Sequence, residues 1–268
     1  MTGGDGFLGS AVVRQLNTLD AQVMPVTRRI GGSHGATFCD LGDPTAVCRL
    51  LNDCEPDCIV CVAAVADFGR DVLPSLYPVN TLCPAIMADY CRRHDAHLIF
   101  TSMAVHGRQV ERFGPETPVR PETDYGISKW LAEQAITASG CRAAIIRFGG
   151  IFGPTGPEHL GINRAIRQAQ AGVVPAAVGT GAARRNYIYI EDAAAGVRTC
   201  VANGLTGLFF SGGESLSFRE MLQSICDVWL PGRGPVMRAG DDGPDQLVHV
   251  SPELGPTRTF REALEHAR

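Results

Sequence analysis

A continuous apolar run, DCIVCVAAV (57–65), sets the strongest limit on the fold of this chain, and strands are also read at HLIFTS (97–102) and CRAAIIRF (141–148). A strand facing solvent on one side alternates polar and apolar residues, whereas the run at 57–65 does not, as expected for a parallel strand covered on both faces. Segments of helical spacing precede and separate these strands: FLGSAVVRQLN, the amphipathic DPTAVCRLLND with its Asp-Pro start, NTLCPAIMADYCRRH and TDYGISKWLAEQAITAS. A strand is also expected at AQVMPV (21–26). Strand and helix alternating at these lengths require right-handed crossovers, and so predict an α/β, doubly wound parallel sheet of the Rossmann type.

After about residue 150 the texture changes. IFGPTGPEHLG is rich in Gly and Pro, and helices are expected in NRAIRQAQAG, YIEDAAAGVRTCVA and SFREMLQSICDVW, with a strand at GLFFSGG and a turn-rich tail. The predicted organisation is a dinucleotide-binding domain over 1–150, with 186–212 returning to it. Residues 151–185 and 213–268 would form a smaller substrate lobe.

The 268 residues carry a net charge of −4, against the basic surface usual in proteins that bind nucleic acid or anionic membranes. No apolar run reaches the ~20 residues of a bilayer span, and no signal-peptide pattern opens the sequence, so a cytoplasmic location is expected. The ten cysteines are scattered among apolar residues, as buried reduced thiols are. Cys58 and Cys61 form a C-x-x-C in a predicted strand, where residues i and i+3 point to opposite faces and cannot share one ion. No metal site is expected.

The chain opens MTGGDGFLGS, in which Gly3, Gly6 and Gly9 have the spacing of a dinucleotide phosphate loop followed by a helix. Such a loop needs a strand before it, and only Met1 and Thr2 precede the first glycine. Alone, the glycines are compatible with an ordinary turn. Roughly 20 residues on, where this loop type places its ribose-reading residue, stand Arg28 and Arg29 with no acid beside them. An arginine fork suits the 2′-phosphate of NADP, whereas an acid would favour NAD; solvated loop charges are the other reading.

Tyr125 and Lys129 lie four apart on one helix face. A nearby ammonium favours the phenolate, so this pair is read as a tyrosine tuned to exchange a proton during hydride transfer. Thr101 and Ser102 end the preceding strand, where a hydroxyl would meet the same substrate oxygen.

Taken in order, these motifs resemble the extended short-chain dehydrogenase/reductases, the NAD-dependent epimerase/dehydratase family. TGGDGFLGS is similar to its cofactor loop (Gly3, Gly6, Phe7, Leu8, Gly9), CDLGD to its adenine-contacting pair (Asp40, Leu41) and VAAVAD to its strand-four alanines (Ala63, Ala64). PVNTL supplies the family asparagine, Asn80; FTSMAVHG places the catalytic hydroxyl on Ser102; YGISKWLAEQ carries Tyr125 and Lys129. GTGAARRNYIYIEDAA is similar to the substrate-anchoring stretch, its arginine at Arg185.

The departures carry information too. Family dehydratases have an Asp-Glu pair directly after the serine or threonine, and here Met103 and Ala104 stand there, so dehydration is disfavoured. His106 replaces the usual tyrosine, either as a donor to substrate or as a packed loop residue. Gly150 replaces an asparagine that touches the substrate diphosphate. Arg185 offers a grip on the diphosphate, unless it pairs with Glu191 or Asp192.

The resemblance implies an NAD(P)-dependent enzyme acting on a sugar nucleotide. A 4-ketoreductase using NADPH leads, an NAD-dependent epimerase is the alternative, and a non-catalytic NADP-binding sensor is a third reading. It also implies a homodimer through the helices at 80–94 and 123–139. In this fold the strand before the glycine loop is central, in order 3-2-1-4-5-6. Its loss would strand neighbouring backbone groups at about 1–3 kcal/mol each. The expectation is therefore that a short apolar run precedes Met1 in the natural product, or else that the sheet centre is perturbed and the cofactor held weakly.

Overall fold

A computed structural model describes residues 1–29, 35–66, 73–104, 110–158 and 160–268. Helix α1 (Phe7–Leu16) is followed by strands β1 (Val26–Thr27) and β2 (Thr37–Phe38), helix α2 (Pro44–Cys54) and β3 (Cys58–Cys61). Then come α3 (Leu73–Tyr77), a π-helical turn at Pro78–Leu82, α4 (Cys83–His94), β4 (His97–Met103) and β5 (Arg112–Phe113). Helix α5 (Asp124–Ser139) leads to β6 (Arg142–Phe148) and β7 (Ile151–Phe152). The remainder comprises α6 (Gly161–Gln170), β8 (Ala176–Val178), β9 (Arg184–Arg185), β10 (Ile188–Tyr189), α7 (Ile190–Asn203), β11 (Gly207–Ser211), β12 (Leu216–Ser217), α8 (Phe218–Trp229), β13 (Val236–Arg238), β14 (Leu247–Val248) and α9 (Phe260–His266).

The main sheet is parallel. β3, β4, β6 and β11 run side by side, and β1 pairs with β2 beyond them. Thr2 joins the two groups by bridging Val26 on one side and Cys61 on the other. Its amide donates to the Val60 carbonyl at 2.9 Å, while Gly3 N–H donates to Val26 at 2.9 Å and Val26 N–H to Met1 at 2.7 Å. The expected central position is thus held by Met1–Gly3, and the sheet runs unbroken through a first strand reduced to a bridge. β1 is confined to Val26–Thr27, beside Thr2; the rest of the apolar run from Ala21 forms no ladder. A strand forms only where a neighbour answers its backbone groups.

Each face of the sheet buries its own core. On one, Ile59, Cys61, Leu98, Phe100 and Ile145 meet α2, α4 and α5. On the other, Val60, Ile99, Ala144 and Ile146 meet α1 and α7, and this core continues into α6, α8 and α9. Residues 59, 60 and 61 therefore alternate faces, as a strand demands, with Cys58 packed on the α1 side and Cys61 on the other. All ten cysteines are free, six of them buried.

The C-terminal segments add short pairs: β7 with β10, β8 with β13, β9 with β12 and β5 with β14. β13 arises within the tail read as turns, and β14 recruits residues 112–113 from the N-terminal half. Among the described residues, no helix is long and apolar enough to cross a membrane, and no cluster of three or more metal-ligating side chains occurs.

Candidate active site

The glycine loop is built by close approach. Gly3 has a positive φ of 76°, and a Cβ there would lie 2.8 Å from the Ala63 nitrogen. A Cβ on Gly9 would fall 1.8 Å from the Gly3 carbonyl oxygen, so α1 starts against the loop only without a side chain at that position. Gly6 is the N-cap and gives α1 no side-chain cap. Bare amides and the positive end of the helix dipole therefore face outward, the arrangement that receives a phosphate.

One cavity of about 660 Å³ runs from this loop across the ends of the strands. Gly3, Gly6, Phe7, Leu8, Gly9, Arg28, Arg29, Asp40, Leu41, Ala63 and Ala64 line it, and so do Ser102, Tyr125 and Lys129. Its size and position at the carboxyl edge suit a dinucleotide. The donors and the glycine cradle fit such a group.

β4 delivers Ser102 and Met103 to the cavity, and α5 delivers Tyr125 and Lys129. The Thr123 hydroxyl accepts from Gly126 N–H at 3.0 Å, capping α5 just before the tyrosine. Ser102 is buried, and its Oγ has no hydrogen-bond partner among the described residues. Thr101, beside it, spends its hydroxyl on the Cys61 carbonyl at 3.3 Å and is committed to the sheet. Lys129 is 1% exposed, with Nζ 4.0 Å from the centre of the Phe100 ring.

Burial reverses the expected tuning of the tyrosine. The Tyr125 phenol is pushed up to about 12 by desolvation rather than drawn down by the ammonium. Lys129 itself falls to about 8, again chiefly by desolvation, which outweighs the opposing influence of Cys61, Glu133 and Cys83. The i, i+4 spacing puts both on one helix face, but a low-dielectric setting disfavours charge on either. Tyr125 is consequently a neutral phenol at physiological pH.

Asn80, which the resemblance implies is a cofactor contact, belongs to the turn at Pro78–Leu82. It is fully buried in the π-helical turn and absent from the cavity lining. Its carbonyl accepts from Val65 N–H at 2.8 Å, and its amide donates to the Val65 carbonyl at 2.9 Å and Ser128 Oγ at 3.1 Å. It braces the segment after β3 against α5. Pro78, which has no N–H to give, opens this turn. His106 lies outside the described residues.

Arg185 lines a second pocket of about 260 Å³, which shares Met103, Phe148, Gly149, Gly150 and Leu160 with the first. It makes no pair with Glu191 or Asp192, because Glu191 holds Arg14 and Asp192 holds Arg258. Two features escaped the sequence reading: the buried Glu133–Arg147 ion pair between α5 and β6, and Tyr187 in the second pocket. An arginine inside the apolar run CRAAIIRF was the available signal for the first.

Against known proteins, residues 1–208 match the sequence model of the NAD dependent epimerase/dehydratase family. The chain belongs to that family. A dTDP-glucose 4,6-dehydratase of Xanthomonas campestris is 26% identical over 97% of this chain and 83% of its own length. Among solved structures, the UDP-N-acetylglucosamine 4-epimerase of Bacillus cereus superposes with a TM-score of 0.82 at 22% identity, covering 99% of this chain and 96% of the other. The Thermus thermophilus UDP-glucose 4-epimerase, solved with NAD, gives 0.77 at 24% identity, covering 99% and 97%. These likenesses establish the Rossmann-like fold with its parallel central sheet.

Within the family, this chain keeps Ser102, Tyr125 and Lys129 in one cavity while Met103 and Ala104 follow the serine. Met103 lines the cavity and Ala104 is buried in apolar contact with Phe210 and Val248. The carboxylates among the cavity's lining residues are Asp5, in the glycine loop, and Asp40, at the far end beside Leu41.

Proposed function

We propose that this chain reduces the 4-keto group of a sugar nucleotide with NADPH. The observation that carries the reading is the one cavity that joins the Tyr125 phenol and the unpartnered Ser102 hydroxyl to the glycine loop and to Arg28 and Arg29.

Bound NADPH would supply the hydride to the keto carbon. Tyr125 then gives its proton to the oxygen as the carbonyl π pair moves onto it, leaving a phenolate that regains a proton from solvent. Ser102 donates a hydrogen bond to the same oxygen. Lys129, one turn along the helix, offsets the phenolate charge as it forms. The loop of Gly3, Gly6, Phe7, Leu8 and Gly9 holds the dinucleotide diphosphate, with Asp40 and Leu41 at the adenosine and Ala63 and Ala64 against the dinucleotide. Arg28 and Arg29 are exposed at the end of β1 and line the cavity, which suits a 2′-phosphate. Arg185 grips the substrate diphosphate. The chain assembles as a homodimer through α4 and α5, whose outer surface exposes Leu131.

A 4-epimerase is the second reading, favoured by the kinship in fold with 4-epimerases, one of them solved with NAD. Identification of the nucleotide released from purified protein by mass spectrometry separates them. The reductase reading predicts a site that exchanges freely and takes up NADPH, followed by oxidation of NADPH on adding a 4-keto sugar nucleotide. Stoichiometric, tightly held NAD would overturn it in favour of the epimerase.

A further inference from the structure

We infer that Tyr187, made possible by Gly150, is a substrate-phosphate donor that works beside Arg185 and takes the place of the asparagine side chain the family resemblance expects at position 150. The inference rests on the sugar-nucleotide reading above. A Cβ at position 150 would lie 2.0 Å from Tyr187 Cε1 and 2.1 Å from Cδ1, so the ring occupies the volume a side chain there would need. The glycine and the tyrosine are reciprocal: neither an asparagine nor an alanine at 150 is compatible with this ring position.

The pocket that Tyr187 helps to line is an anion site by composition. Among its described lining residues Arg185 is the one formal charge, and no carboxylate occurs. The Arg185 guanidinium packs 5.2 Å over the Phe218 ring, and Nη1 donates to the Arg184 and Pro244 carbonyls at 2.8 Å each. Those bonds fix the plane of the group, while Nε and Nη2 make no hydrogen bond to any described residue. That free edge is the fork that grips a phosphate with two parallel bonds. The Tyr187 hydroxyl likewise has no hydrogen-bond partner among the described residues. Asn186, between them, has its amide committed to the Val248 N–H and carbonyl at 2.9 and 2.7 Å, which anchors the segment to β14. Among the described side chains lining the pocket, the unspent donors belong to Arg185, Tyr187 and Gln246, and a phosphate is the ligand group whose acceptors they match.

Calorimetric titration with uridine and thymidine diphosphates tests this, with NADPH affinity measured in parallel by fluorescence. Tyr187→Phe keeps the ring and removes the hydroxyl. It should weaken whichever diphosphate the wild type binds by about tenfold and leave NADPH binding unchanged. Gly150→Asn should weaken it as well, by displacing the ring, and Gly150→Asn combined with Tyr187→Ala should recover affinity to within a few-fold of wild type. If Tyr187→Phe or Gly150→Asn binds the diphosphate as the wild type does, the inference is overturned while the sugar-nucleotide reading stands. A wild-type protein that takes up NADPH but neither diphosphate would overturn both.

Discussion

Arg147 on β6 grips Glu133 on α5 in a buried, two-pronged ion pair, with Nε 3.1 Å from Oε1 and Nη2 2.6 Å from Oε2. Arg147 pairs with Ser102 across the β4–β6 ladder, and Glu133 follows Lys129 by one helical turn. The pair thus ties the helix bearing Tyr125 and Lys129 to the strand beside the serine. Removing one partner leaves a buried charge uncompensated, so Glu133→Gln or Arg147→Met should cost about 3–5 kcal/mol in urea unfolding. The double variant Glu133→Leu with Arg147→Met should be less damaging than the sum of the singles, because no orphan charge remains.

Lys129 predicts a pH-dependent stability. Its ammonium falls from an ordinary 10.5 to about 8 in the folded chain. Between those values the unfolded chain holds a proton that the folded one has shed, so folding stability rises with pH across that window. Below pH 8 the folded protein carries the full cost of a buried charge. Lys129→Met should therefore be more stable than wild type at pH 7, by roughly 3 kcal/mol. Chemical denaturation at pH 7 and pH 10 checks this: the advantage should shrink as pH rises.

Gly9→Ala should abolish dinucleotide binding. Its Cβ would fall 1.8 Å from the Gly3 carbonyl oxygen, so the loop must move away from α1. A fluorescence titration with NADPH should show no saturable binding, and thermal melting should show a loss of stability.

Replacing Arg28 and Arg29 together by alanine should weaken NADPH by about 10–100-fold and leave NADH within a factor of three. A charge-assisted phosphate contact is worth about 1.5–3 kcal/mol. Parallel titrations with the two cofactors read the difference, and equal losses for both would refute the 2′-phosphate role.

What the sequence disclosed was what continuous patterns encode. HLIFTS and CRAAIIRF become β4 and β6 almost residue for residue, because strands buried on both faces are mostly apolar, Arg147 being held inside by its pair with Glu133. α5 begins where Thr123 caps it and ends where Gly140 takes a positive φ of 70°. β1 was overlong in the reading, since ladder length depends on neighbours that a local pattern does not contain. The ion pair of Glu133 and Arg147 looked like two ordinary charges 14 residues apart. Asn80 was legible as special, whereas its bonds to Val65 and Ser128 depend on the π-helical turn at Pro78–Leu82, which no local pattern announces. The spacing of Tyr125 and Lys129 gave the site, while the protonation of the phenol depended on burial and emerged only in three dimensions.

The most direct test of Tyr125 as the proton donor is a single-turnover reduction by wild type and Tyr125→Phe, each preloaded with NADPH and mixed with a 4-keto sugar nucleotide. The account predicts that both bind NADPH with the same affinity. Wild type then oxidises it, and the variant is slower by about 10²–10⁴-fold. A Tyr125→Phe enzyme that oxidises NADPH at the wild-type rate would contradict the assignment.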